Sequence, residues 1–167
     1  MSNGTLTGSD LYGMPGHLIR RCQQIAVALF VEETQRFAIT PVQYAALVSV
    51  RENPGIDQAR LVGNIAVDRS SAGDVVERLE QKRWLRRQPD RKDRRKNRLH
   101  LTASGEALLK KIEPAIHRAQ ERMLAPLIPE ESRQFMSMLE RIVEFNNNLS
   151  RAPLRRAQTP PVDQLHL

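Results

Sequence analysis

Residues 57–102 read DQARLVGNIAVDRSSAGDVVERLEQKRWLRRQPDRKDRRKNRLHLT, and three successive patterns in this stretch decide the fold. Asp57 can cap a short helix carrying Ala59, Leu61, Val62 and Ile65, and Asp68, after a turn at Ala66 and Val67, can cap a longer one reaching Arg83. Two helices joined by so tight a turn form a helix-turn-helix. Trp84–Gln88 and the alternating Arg98–Leu101 flank a polar stretch from Pro89 to Asn97, the pattern of two strands joined by a charged loop. That hairpin is a β-wing.

The same stretch holds the charge. Between Lys82 and Arg98 there are ten Lys/Arg and two Asp, a net of +8, whereas the whole chain of 167 residues carries +7, so everything else sums to −1. A solvated helix face spreads its charge and mixes the signs, and a disordered basic tail lies at a chain end. A contiguous internal block instead attracts polyanions, and phosphate contact is the role it suggests.

Ahead of this stretch, Thr40-Pro41-Val42-Gln43 supplies a hydroxyl cap, a proline at the first helical position and a glutamine able to reach back, so a helix begins there and runs to about Glu52. Before it, Leu18, Cys22, Ile25, Ala26, Leu29 and Phe30 form the stripe of a helix over 15–36. After the wing, Thr102 caps a long helix bearing Leu108, Leu109, Ile112, Ile116, Ala119 and Met123, with a kink expected at Pro114 and an end at Pro126. A last helix over 129–150 carries Phe135, Met138, Leu139, Ile142, Val143 and Leu149. It is too long and apolar to pack against one small winged lobe alone, which points to self-association.

The expected fold is therefore mainly α with a small β-wing: a winged helix-turn-helix lobe over 37–102, dimerisation helices over 15–36 and 103–150, and flexible tails over 1–14 and 151–167.

On duplex DNA, the first turns of the second helix of such a pair meet base edges. Arg69 could bind guanine bidentately, while Ser70 and Ser71 suit phosphates or bases. Asp74 could accept from a cytosine amino group, but orienting Arg78 four residues on is the favoured role. Gly73 disfavours the helix that holds it, so it marks either close approach of the duplex or tight helix packing. In the wing, Arg94 sits near the loop tip and is suited to a minor groove, with Lys92, Arg95 and Lys96 beside it in the phosphate-contacting block. Pairing of Arg95 with Asp90 or Asp93 would stiffen the loop.

Asp68-Arg69-Ser70-Ser71, Val76-Glu77-Arg78-Leu79-Glu80, Trp84-Leu85, and the wing from Asp93-Arg94-Arg95 to Leu101-Thr102 together resemble the MarR family of bacterial transcription regulators. The resemblance covers about residues 16–150. It implies a homodimer on a pseudo-palindromic operator in double-stranded DNA, usually a repressor released by a small ligand. It further implies an aromatic or phenolic acid held between the dimerisation helices and the DNA-binding lobe, Arg94 in the minor groove, and Arg95 paired with an aspartate. Where members commonly have Thr-Arg this chain has Gly73-Asp74, so an operator sequence does not carry over.

For an anionic aromatic effector, His17, Arg20, Arg21 and Gln24 lie beside Met14 and Cys22, with Tyr44 on the following helix, a mixture that suits a carboxylate in an apolar slot. The plainer readings are surface or dimer ion pairs for the arginines and core packing for Tyr44. Some members of the family sense peroxides through a cysteine on the first helix, and flanking arginines favour a thiolate. Against this, Cys22 sits mid-stripe with no second cysteine to resolve a sulfenic acid, so a buried structural thiol is favoured.

Other classes fit poorly. The longest apolar run, Ile25 to Val31, is far short of the ~20 residues of a membrane span. No secretory signal opens the chain, and the single cysteine suits a reducing cytoplasm. One Cys and four scattered His give no metal-ligand spacing, and no cofactor is expected. Phosphate-loop, nucleophile-elbow and paired-carboxylate patterns are absent, which argues against an enzyme. Aromatic residues are only 4% of the chain, leaving an RNA-binding module no stacking platform. A pure interaction module would have no use for the concentrated charge. The expectation is a cytoplasmic, ligand-responsive DNA-binding regulator, a repressor released by a small aromatic carboxylic acid.

Overall fold

The computed structural model describes residues 8–90, 97–150 and 152–155, with the backbone alone at positions 8, 9 and 69. In chain order they form helices α1 (Gly8–Gly13), α2 (Pro15–Thr34), α3 (Pro41–Glu52), α4 (Gln58–Ile65), α5 (Arg69–Gln81), α6 (Ala103–Leu124) and α7 (Pro129–Phe145). Strands β1 (Ile56–Asp57), β2 (Leu85–Pro89) and β3 (Asn97–Leu101) complete the winged lobe.

Every helix start that the sequence marks with an oxygen-bearing side chain is capped by it. Thr40 Oγ1 accepts from Gln43 N at 3.2 Å while Gln43 Oε1 accepts from Thr40 N at 3.3 Å, a reciprocal capping box. Asp57 Oδ1 accepts from Arg60 N at 2.9 Å, and Thr102 Oγ1 from Gly105 N at 3.1 Å. These bonds satisfy donors that the first turn of a helix leaves unpaired.

The sheet has the order β1-β3-β2, antiparallel throughout. Its third strand, β1, escapes a reading by alternation because it is two residues long. Ile56 pairs with Leu99, and both are buried, so this short rung ties the wing to the entry of α4. The core gathers Leu47 and Val50 of α3, Leu61 of α4, Val76 and Leu79 of α5, Leu99 of β3 and Ile112 of α6, all sealed from solvent. Burying each such aliphatic side chain contributes roughly 1.5–3 kcal/mol.

At the join of wing and α6, Thr102 and Ser104 both donate their hydroxyls to Arg83 O at 2.6 Å, and Thr102 N donates to Trp84 O at 3.1 Å. Gly105 is required there: a Cβ would lie 2.2 Å from Trp84 O. α2 lies along α6, where Arg118 bonds Glu33 at 2.9 Å and Arg122 bonds Glu33 at 2.8 Å and Glu32 at 3.0 Å. Those guanidiniums, Arg118 foremost, hold the Glu33 carboxyl below its usual range.

Several boundaries differ from the sequence reading. Residues 8–13 are helical where a tail is expected, and residues 152–155 return to the lobe instead of trailing away. The first long helix closes at Thr34 through a 3-10 turn, Gln35–Phe37, ended by Ala38 in the left-handed region. α5 stops at Gln81 short of the expected Arg83, which also takes a positive φ. α6 continues through Pro114, where Ile112, Ala115 and Ala119 keep it pressed on the core. α7 ends at Phe145, with Asn146 Nδ2 donating back to Ile142 O at 2.9 Å and a 3-10 turn, Asn147–Leu149, following.

α7 buries none of its residues within the chain. Met138, Ile142 and Val143 are about half exposed, and Phe145 beyond them is 89% exposed.

Candidate DNA interface

The opening turn of α5 is organised by Asp68. Its Oδ1 accepts from Ser70 Oγ at 2.6 Å and from Ser71 N at 2.9 Å, and its Oδ2 accepts from Ser71 Oγ at 2.7 Å. The Ser70 hydroxyl first, then the two Ser71 donors, hold the Asp68 carboxyl well below the usual carboxylate range. Each serine has one hydroxyl proton, here given to Asp68, so in this arrangement Ser70 and Ser71 offer acceptor lone pairs outward. Such an array complements a base amino group better than a phosphate oxygen.

Along the same helix Ala72, Val76 and Leu79 are buried while Ser70, Ser71, Asp74, Glu77 and Arg78 are exposed, so one face packs and the other is open. The pair favoured from the sequence, Asp74 with Arg78, is not formed: both are exposed and no ion pair joins them among the described residues. Both side chains are instead left to the open face. Packing does not explain Gly73 either, since a Cβ there would meet only Gln58 Nε2 at an ordinary 3.6 Å.

The basic block divides by function. Lys82 donates its ammonium to Ala38 O and lies 4.7 Å over the Trp84 ring. Arg87 is clasped by Glu80, its N on Oε1 at 3.0 Å and its guanidinium 3.1 Å from Oε2. Arg98 pairs with Asp90, approaches Asp57 at 3.7 Å and donates to Gly55 O at 3.3 Å. These three cations brace the wing. Arg83 and Arg86 are exposed at its root, two candidate phosphate contacts that the sequence reading did not single out. At the base of the wing Asp90 takes Arg98, while the expected pairing of Arg95 with Asp90 or Asp93 falls outside the described residues. Lys92, Arg94, Arg95 and Lys96 lie outside the described residues, as do Asp93 and the Arg69 side chain.

The effector candidates are not brought to one place within a chain. His17 meets Tyr12 edge to face, with ring centroids 5.6 Å apart, and Arg20, Arg21 and Gln24 are exposed on α2. Tyr44 packs against Phe30 at 6.0 Å, half-buried, and burial pushes its hydroxyl pKa up. Phe30 is thirteen residues along α2 from His17, about 20 Å of helix rise, and six from Gln24, about 9 Å, so Tyr44 stands well apart from His17. Cys22 is half-buried on α2 rather than sealed in the core as a structural thiol would be. No helix among the described residues is long and apolar enough to cross a membrane.

Capped helix pair, exposed second-helix face and braced cationic wing define a winged helix-turn-helix DNA-binding protein. The sequence model of the MarR family matches residues 39–96, from just ahead of α3 to just ahead of β3. The HTH-type transcriptional repressor NicR of Pseudomonas putida is 30% identical over 142 residues, covering 85% of this chain and 90% of that protein. Among solved structures, Bordetella bronchiseptica BpsR, whose DNA binding is regulated by 6-hydroxynicotinic acid, superposes with a TM-score of 0.77 at 27% identity, over 84% of this chain and 99% of that one. Streptomyces coelicolor PcaV with its natural ligand gives 0.74 at 31% identity, over 83% and 98%. The chain belongs to the MarR family and is a DNA-binding transcription regulator, not an enzyme.

Proposed function

We propose that this chain is a cytoplasmic homodimeric repressor that leaves its operator when a small aromatic or pyridine carboxylic acid binds. The observation that carries the ligand half is a cluster of cations without acids: Arg20 and Arg21 are exposed on α2 near His17 and Gln24, and neither has an ion-pair partner among the described residues. Two adjacent guanidiniums with an imidazole one turn away suit a carboxylate. Likeness to NicR and BpsR supports both the repressor role and a pyridine-type acid. Arg20 and Arg21 would hold the carboxylate, with His17 and Gln24 addressing ring substituents.

The dimer half rests on α7, whose uncovered apolar face matches what a second copy would bury. On an operator, Ser70, Ser71, Asp74 and Arg78, with Arg69, would face base edges, and Arg94 with Lys92, Arg95 and Lys96 would extend along the backbone and minor groove.

Fluorescence anisotropy with a duplex from the gene's own upstream region and a scrambled control tests this reading. Specific binding is expected, weakening steeply with salt, and reversed by 6-hydroxynicotinic acid or benzoate in the wild type but not in Arg20→Ala/Arg21→Ala. Equal binding to both duplexes, or release that survives loss of both arginines, would overturn it.

A further inference from the structure

Beyond α7 the chain turns back onto the first helix of the helix-turn-helix. Arg155 N donates to Gly63 O at 2.8 Å. Gly63 lies in the last turn of α4, where carbonyls have no partner within the helix, so this bond caps α4 from outside. A Cβ at Gly63 would stand 3.1 Å from Arg155 Cβ, tighter than an ordinary contact. Glycine disfavours a helix interior relative to alanine, and the close approach of the returning segment accounts for it here.

The other end of the segment is tied to the close of α7. Asn147 donates Nδ2 to Leu154 O at 3.0 Å and accepts from Leu154 N at 2.9 Å, using both faces of one amide. Between the two ties, Ser150 and Ala152 face Val42, Val67 and Val75 across an open groove beside the opening turn of α5. Because α7 buries nothing of its own in the chain, this strap is a direct link between the terminal helix and the α4–α5 pair.

We propose that Asn147 and the strap Ala152–Arg155 are positioning elements: they hold α4–α5 at a set angle to α7 and thereby fix the half-site separation that a dimer accepts on DNA. The inference rests on the dimer reading above. Two heads on a duplex must sit about one helical turn, 34–36 Å, apart. Heads on a loose hinge accept neighbouring spacings, whereas heads on a stiff link accept one.

The test uses the full chain and an operator that the protein itself selects from random duplexes, with derivatives whose half-sites are moved apart by one and by two base pairs. Wild type is expected to bind the shifted duplexes at least about tenfold more weakly, since the duplex or the heads must deform. In Asn147→Ala, which removes both amide bonds, and in Gly63→Ala, which pushes the strap from the α4 side, that penalty is expected to shrink to about threefold or less, with Tm and affinity for the unshifted duplex nearly unchanged. Asn147→Asp, which keeps the acceptor for Leu154 N, should restore part of the discrimination. An equal spacing penalty in wild type and variants overturns the inference, as does a wild type indifferent to spacing. A uniform affinity loss accompanied by a lower Tm also overturns it, since that is what a merely structural contact would give. A wild type that binds its selected duplex as a monomer overturns the dimer reading itself.

Discussion

The winged lobe and the terminal helix solve opposite problems. In the lobe, α3, α4, α5 and the sheet close over sealed side chains such as Leu47, Leu61 and Leu79, and each start is capped by a side chain that the sequence names. In α7 no residue is buried, and its start is closed instead by Glu131 Oε2 accepting from Ile128 N at 3.0 Å. Local patterning is therefore enough to complete a structure where apolar residues find partners in the same chain. Where they do not, the same patterning forms a helix whose packing must come from elsewhere.

The sharpest way to break this contrast is to charge the open face. Met138→Asp with Ile142→Asp should convert a dimer to monomers by light scattering and cut operator affinity on the order of 100-fold or more, because the two heads lose their linkage. The lobe's thermal transition should survive. Charging the lobe is unnecessary, since one methyl group suffices: Gly105→Ala sets a Cβ against the Trp84 carbonyl, a backbone atom that cannot swing aside. A loss of about 1–3 kcal/mol is expected in denaturant unfolding, with a lower Tm.

Gly73→Ala separates stability from function on the open face of α5. With only Gln58 nearby, the added methyl has room, so the helix should gain up to about 1 kcal/mol by thermal melting while operator binding weakens if the duplex approaches that glycine. Unchanged affinity would show that Gly73 lies off the DNA surface. The smallest expected effect is on pH dependence. Asp68 and Glu33 both have folded-state pKa values lowered by hydrogen-bond and charge partners, so their contributions are present above the ordinary carboxylate pKa of about 4 and fade as pH falls through and below it. Tm should be flat from pH 7 to about 5 and decline below about 4. Asp68→Asn, which keeps a capping oxygen, should flatten part of that decline.

These residues also show how far the sequence could be read. Thr40, Asp57, Asp68 and Thr102 are legible because a cap acts within three residues, and the wing is legible because Arg98–Leu101 alternates after a charged stretch. β1 is too short to show a period, and the strap at Ala152–Arg155 depends on a partner more than ninety positions before Arg155, Gly63. At the interface, the exposed face of α5 follows from helical period alone. The braces do not: Arg87 with Glu80 and Arg98 with Asp57 and Asp90 depend on which strand neighbours which. The five effector candidates look contiguous because α2 and α3 are successive, yet the length of α2 separates His17 from Tyr44.

Hydroxyl-radical footprinting of the protein on its selected operator asks whether two copies of this lobe, linked by their terminal helices, read two half-sites on one duplex. Two equivalent protected patches related by a twofold axis, about 10 base pairs apart, are the expected result. A single patch, or protection spread evenly along the duplex, would contradict it.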